Sequence, residues 1–170
     1  MHREIFCIDP AFNSPERGSY ELLCKLSKFP ISYHLPALEG MQSLLIRQKK
    51  VPIAAIIVLG SYASVHDYYI WQEELRAWLK AQIYKSIPCL GICYAHQLIA
   101  KIFAGEVSYL EKDKSKYKGV RKVFVVKDSS LEGVTSDGVL AYAHREYVSK
   151  CPLGMKPLLF CKDLDYEALY

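Results

Sequence analysis

The chain has no run of the roughly 18 or more consecutive apolar residues that a membrane-spanning helix requires, so it is expected to act without inserting into a membrane. An apolar leader segment is missing too. Met1-His2-Arg3-Glu4-Ile5 passes straight into a strand pattern, which predicts no signal peptide and a cytoplasmic location. None of the cysteines Cys7, Cys24, Cys89, Cys93, Cys151 and Cys161 forms a C-x-x-C pair, and in a reducing compartment all are expected as thiols. Cys89, Cys93 and His96 supply part of a zinc set but lack an obvious fourth ligand. A strand-to-helix turn aims such side chains apart, so no metal is expected. Charge of one sign is scarce: 22 Lys and Arg against 18 Asp and Glu leave a net charge of +4. The loose basic series Lys112, Lys114, Lys116, Lys118, Arg121 and Lys122 is mixed with Glu111 and Asp113. It reads as a solvated loop and not as a nucleic-acid stripe. Repeats, low-complexity tracts and linkers are absent, so residues 1–170 are read as one domain.

What is present is an alternation of short apolar runs with helical patterns, at 51% hydrophobic and 24% charged residues. Residues 5–8, 31–35 and 53–59 read as strands, and the third is apolar enough for burial on both faces. After a loop reaching Gly18, Ser19 is placed to cap a helix with Leu22, Leu23 and Leu26 on one face. Asp67 or a neighbour opens another helix, where Trp71, Leu75, Trp78 and Leu79 recur at core-facing spacing. A strand at 89–92 leads into a helix at 95–103 that Gly105 ends. Strand patterns follow at 107–110, 120–126, 139–143 and 157–160. This order predicts an α/β fold, a three-layer α/β/α open and mostly parallel sheet of flavodoxin-like type, with an antiparallel extension.

Within that frame the segment Pro88-Cys89-Leu90-Gly91-Ile92-Cys93-Tyr94-Ala95-His96-Gln97-Leu98 carries the chemistry. An apolar strand, a glycine, a cysteine and an immediate helix are the order of a nucleophile elbow. Gly91 leaves room for backbone approach, and amides opening the helix favour a thiolate and can bind an oxyanion. The alternative is a core cysteine in a βα turn. The strand ending at Leu59 also runs into a turn of small residues, Gly60-Ser61-Tyr62-Ala63-Ser64-Val65. Ligands of open α/β sheets bind beyond the carboxyl ends of such strands, so the two turns suit acyl transfer.

Together these residues resemble the class I glutamine amidotransferase family, in particular its stand-alone members similar to the amidotransferase half of GMP synthase. The family elbow G-x-C-x-G-x-Q reads here Gly91-Ile92-Cys93-Tyr94-Ala95-His96-Gln97. Its G-G-P-x-S-x-x-D loop is similar to Gly60-Ser61-Tyr62-Ala63-Ser64-Val65-His66-Asp67. Ala143-His144-Arg145-Glu146-Tyr147-Val148 resembles S-H-x-D-x-V, with Cys151-Pro152-Leu153-Gly154 as the following P-x-G. The likeness runs from about residue 54 onward, in the family's order.

The resemblance implies that Cys93 attacks the glutamine side-chain amide, with backbone amides at Gly60 or Ser61 and at Tyr94 as the oxyanion hole. Gln97 would hold the amino-acid end of glutamine, and a loop carrying His144 and Arg145 would line the same pocket. It implies no cofactor, glutamine as the ligand, and either a synthetase partner or self-association. Three departures stand out. Ala95 replaces a family glycine; Ser61 and Tyr62 replace a glycine and a proline; and the His-Pro-Glu motif that carries the family's catalytic base is absent from these residues. An amidase without that base is expected to be impaired, as a domain short or degenerate at its C-terminus or one completed by another chain. The alternatives are a non-catalytic binding protein on the same fold or a cysteine protein related to DJ-1. The Gln97 and His144 segments argue against the last.

Overall fold

A computed structural model describes residues 3–127 and 136–170. Met1 and His2, where the leaderless reading began, lie outside them. The chain divides into two compact units, Met1–Ile99 and Ala100–Tyr170.

The first unit is built on four parallel strands in the order β2-β1-β3-β4: β1 (Glu4–Ile8), β2 (Ile31–His34), β3 (Ile53–Val58) and β4 (Cys89–Gly91). In β1, Phe6, Cys7 and Ile8 are wholly buried, as expected for a strand covered on both faces. Strand β3 is less enclosed than its composition predicts, since only Ile56 and Val58 are fully buried. Because β1 has β2 on one side and β3 on the other, the strand order reverses between β1 and β3. The carboxyl ends of β1, β3 and β4 meet the loops from which a site can be made.

Several helices depart from the sequence reading. Helix α1 (Arg17–Leu26) starts before Ser19, so that serine lies inside it and caps nothing. The acceptor at this end comes from the residue after β1 instead: the buried Asp9 carboxylate takes the Glu16 N–H at 2.6 Å. None of the α1 residues is fully buried, and Leu22 and Leu26 are 57% and 73% exposed. Helices α2 (Pro36–Glu39) and α3 (Gln42–Lys50) carry no strong apolar stripe, and Leu44 is the one buried residue of α3. Helix α4 (Ile70–Tyr84) buries Leu75, Trp78 and Leu79 as predicted, but Trp71 of the same stripe is only half-buried and Tyr69 is the N-cap. Asp67 instead accepts the Ser64 N–H at 2.8 Å. Helix α5 (Tyr94–Ile102) follows β4 directly.

His34, at the end of β2, yields a test of this packing. Its ring lies 5.0 Å from that of Phe6, with Nδ1 and Nε2 at 3.3 and 3.0 Å from the hydroxyls of Ser43 and Ser32. Burial, and then the Arg47 guanidinium, push its pKa from 6.5 down to about 4, against an opposing pull from Glu4. A group with a depressed cationic pKa leaves the unfolded chain binding more protons in the interval. Stability from neutral His34 is therefore complete above 6.5 and lost progressively as pH falls toward about 4. Urea midpoints should decline across that window and flatten in His34→Asn. An undiminished slope in the variant would assign the linkage to another group.

The second unit is antiparallel. One sheet has the order β10-β9-β6-β7, from β6 (Tyr117–Val125), β7 (Gly138–His144), β9 (Pro157–Phe160) and β10 (Ala168–Leu169). Strand β5 (Glu106–Tyr109) pairs with β8 (Glu146–Lys150). This antiparallel part agrees with the expected extension. The basic series, however, is no loop at its far end: Lys118, Arg121 and Lys122 belong to β6. The Arg121 guanidinium lies 3.8 Å from the centroid of the Tyr142 ring and pairs with Glu167, so this charge is engaged locally.

Candidate active site

Cys93 follows β4 and immediately precedes α5, with φ at +55°, and its side chain is exposed. A left-handed conformation at a non-glycine residue costs about 1–3 kcal/mol and persists only where the surroundings enforce it. The enforcing contacts are visible. The Ile92 N–H donates to Val58 O at 2.9 Å, which keeps the chain paired to β3 up to the residue before the thiol. Then Ala95 N–H donates to Ile92 O at 3.1 Å and Gln97 N–H to Cys93 O at 3.2 Å, so the helix begins without an intervening loop. Gly91 makes the sharp turn possible. A Cβ there would stand 2.7 Å from Ile99 Cδ1 and 2.9 Å from the carbonyl carbon of Ala95. The turn thus has the tight strand-to-helix geometry that a nucleophile elbow requires.

The turn after β3 runs past this thiol. A Cβ built on Gly60 would lie 3.3 Å from Cys93 Cβ and 3.8 Å from its Sγ, so any side chain there would crowd the thiol. Ser61 stands where the family has a second glycine. Among the described residues only Ser86, Cys93, Ala104 and Lys114 are non-glycine residues with positive φ, so serine is accommodated without backbone strain. Its hydroxyl donates to Pro10 O at 2.8 Å and accepts the Ala63 N–H at 3.1 Å, tying the turn to the loop after β1. Tyr94 opens α5 with its side chain buried, and Ala95 is likewise enclosed. Gln97 is 6% exposed, one turn into the helix, and so is not a solvent-facing polar residue.

Cys93, Gly60, Ser61, Tyr94 and Gln97 thus belong to the first unit, with the first four in two adjoining turns. His144 and Arg145 belong to the second unit. They occupy no extended loop: His144 ends β7, Arg145 is the single connecting residue, and Glu146 opens β8. His144 Nδ1 is hydrogen-bonded to the Glu146 carbonyl. A carbonyl only accepts, so Nδ1 carries the proton and the neutral ring keeps its lone pair on Nε2. Arg145 Nε lies 3.9 Å from Oε1 of the buried Glu146. Burial raises the Cys89 thiol to about 11, and among the described residues no group of three or more His, Cys, Asp or Glu is placed to hold a metal ion. None of their helices is long and apolar enough to cross a membrane. A cavity of about 590 Å³ lies in the second unit, lined by Tyr117, Arg121, Tyr142, Tyr147 and Cys161 among others. None of the expected site residues lines it.

Sequence reasoning missed Gln72, whose side-chain amide reaches both the turn after β3 and the first residue of α5. Its one local signal is a glutamine at the third position of a helix, where it can reach back to the N-cap amide.

The chain belongs to the class I glutamine amidotransferase family: the family model described as glutamine amidotransferase class-I matches residues 12–169. The match starts well upstream of residue 54, so β2, α1 and the first loops are part of it. The chain is similar to the glutamine-hydrolyzing GMP synthase of Borreliella burgdorferi, at 33% identity over 118 residues, 68% of this chain and 21% of that protein. It is also similar to a subunit of the glutamine-hydrolyzing GMP synthase of Archaeoglobus fulgidus, at 36% identity over 72 residues, 42% of this chain and 38% of that one. The matched region therefore spans well under half of these relatives. In fold the chain resembles the crystal structure of a glutamine amidotransferase from Thermotoga maritima, with a TM-score of 0.74 and 16% identity over 100% of this chain and 72% of that one.

Proposed function

We propose that the chain is a glutamine-binding amidase domain in which Cys93 is the nucleophile. The observation that carries this reading is the exposed thiol at φ +55° with Gly60 against it, in a chain of this family. Cys93 Sγ bonds to the side-chain carbonyl carbon of glutamine, and the oxygen takes up negative charge. Backbone N–H groups of Gly60 or Ser61 and of Tyr94 stabilise that charge. One such donor is typically worth about 3 kcal/mol in the transition state. Collapse breaks the C–N bond, the nitrogen leaves with a proton as ammonia, and water cleaves the glutamyl thioester to glutamate. Gln97 helps to hold the amino-acid end of the substrate, and the family resemblance gives the His144 and Arg145 segment a substrate-side role.

These residues contain no His-Pro-Glu, so the proton needed by the leaving nitrogen has no motif-matched carrier and turnover is slow. Ammonia passes to a synthetase partner, a role suggested by the archaeal relatives that are themselves subunits of a GMP synthase. Residues 1–170 serve as one functional domain in the cytoplasm. The test is covalent capture by 6-diazo-5-oxo-L-norleucine, a glutamine-shaped diazoketone. Peptide mapping should place the adduct on Cys93, with L-glutamine protecting and D-glutamine not. Labelling spread over several cysteines, or indifferent to L-glutamine, would falsify the glutamine site.

A further inference from the structure

Gln72, in the first turn of α4, is 1% exposed and has both of its amide hydrogens placed. Nε2 donates to Ser64 O at 2.8 Å and to the Tyr94 hydroxyl at 3.1 Å, while Oε1 accepts the Tyr69 N–H at 3.3 Å. Only the last bond serves its own helix. The first holds the turn that carries Gly60 and Ser61, and the second holds the residue that opens α5 beside the thiol.

We propose that Gln72 is a positioning residue that sets the spacing between the two halves of the oxyanion hole, an inference that rests on the amidase reading above. The turn after β3 is fastened at its near end by Ser61 Oγ on Pro10 O. At its far end it is fastened by Ser64, through Asp67 on its N–H and Gln72 on its carbonyl. Gly60 lies just ahead of the first fastening. On the helix side the Tyr94 ring is buried and tilted against Trp71, 6.1 Å between centroids, so the phenol reports the position of the helix start. Moving either half relative to the other breaks a buried Gln72 hydrogen bond. A buried donor left unpaired is far costlier than an exposed one, so the amide holds both halves at one separation. Oxyanion donors act only within a few tenths of an ångström of their proper place. A residue touching neither substrate nor thiol can therefore govern capture.

The test compares native chain, Gln72→Leu and Gln72→Glu, each reacted at Cys93 with 6-diazo-5-oxo-L-norleucine and with iodoacetamide. Iodoacetamide reads the thiol alone, whereas the diazoketone also needs the glutamine-shaped site. The ratio of the two rates should fall about 10- to 100-fold in Gln72→Leu, with iodoacetamide little changed. In Gln72→Glu the carboxylate can still accept from Tyr69 but cannot donate. The ratio, taken relative to native at each pH, should be low at neutral pH and recover as the carboxyl protonates and regains a hydrogen. A purely structural role would move the melting temperature without that pH profile. Equal ratios in native chain and folded variants overturn the proposal. If Gln72→Leu does not fold, Gln72→Glu decides alone. If native Cys93 ignores the diazoketone, the amidase reading fails, and hydrogen exchange decides the brace separately. Faster exchange in Gln72→Glu over both 60–67 and 92–98 sustains it, and unchanged exchange there removes it.

Discussion

Iodoacetamide at neutral pH is expected to modify Cys93 before any other cysteine of the chain. The thiolate is the reacting form, so both access and ionisation count. Cys7 is wholly buried, and burial, then the Asp9 carboxylate, raise it to about 12. Fewer than about one in 10,000 such thiols is ionised at neutral pH, against a few per cent for a free one. Cys89 is raised to about 11 by burial, Cys151 is shifted the same way, and Cys161 is buried. The remaining competitor, Cys24, is exposed but lies inside α1 and not on a strand-to-helix turn. Cys93 is exposed at the start of α5, the kind of place where backbone amides favour a thiolate. Timed quenching and peptide mapping should give the order Cys93, then Cys24, then the others. Equal or faster modification of Cys24 would remove the basis for an activated nucleophile.

The larger effect concerns turnover. Glutamine hydrolysis by these residues is expected to be about 10²–10⁴-fold below that of a class I domain with a catalytic histidine, the usual loss on removing a general acid–base. The thioester chemistry needs a proton for the leaving nitrogen and a base for the attacking water. Thiol and amides supply neither. Capture by the diazoketone should survive because it asks for binding and a thiol. Cys93→Ser should abolish both capture and residual hydrolysis, read by ammonia-coupled oxidation of a nicotinamide cofactor. Rapid hydrolysis by the native chain would overturn the impairment. His144→Ala would then be the decisive variant, because the Glu146 carbonyl fixes the proton on Nδ1 and so places the lone pair of the neutral ring on Nε2. Loss of hydrolysis in it would assign the missing role.

The parts of the fold legible beforehand were those with strong local signals. Strands β1, β3 and β4 are short apolar runs that end in turn residues, and the stripe Leu75, Trp78 and Leu79 marks the buried face of α4. Helices α2 and α3 bury almost nothing at regular spacing, so their pattern is faint. Strand β8 was hidden because its sequence matched a family segment read as a loop. Pairing with β5 makes it a strand, and no local property of residues 146–150 announces that partner. Ser19 illustrates the limit of capping rules: a good cap residue is passed over when a carboxylate from elsewhere, here Asp9, satisfies the helix end.

The site divides the same way. Glycine, cysteine and a helix pattern in immediate succession marked residues 91–97 as an elbow beside the alternative of a core cysteine, and the exposed thiol with the Ala95 backbone close against Gly91 decided between them. The order of the three family segments determined the family. Tertiary structure alone decided that Cys93 takes a left-handed backbone, since that strain is imposed by the pairing of β4 with β3 on one side and by the start of α5 on the other. It alone decided that Gly60, over thirty positions earlier, stands against the thiol, and that the amide of Gln72 spans the turn and the helix. Local propensity acts over a few neighbouring residues. These contacts join segments far apart in the chain, and only packing brings them within reach.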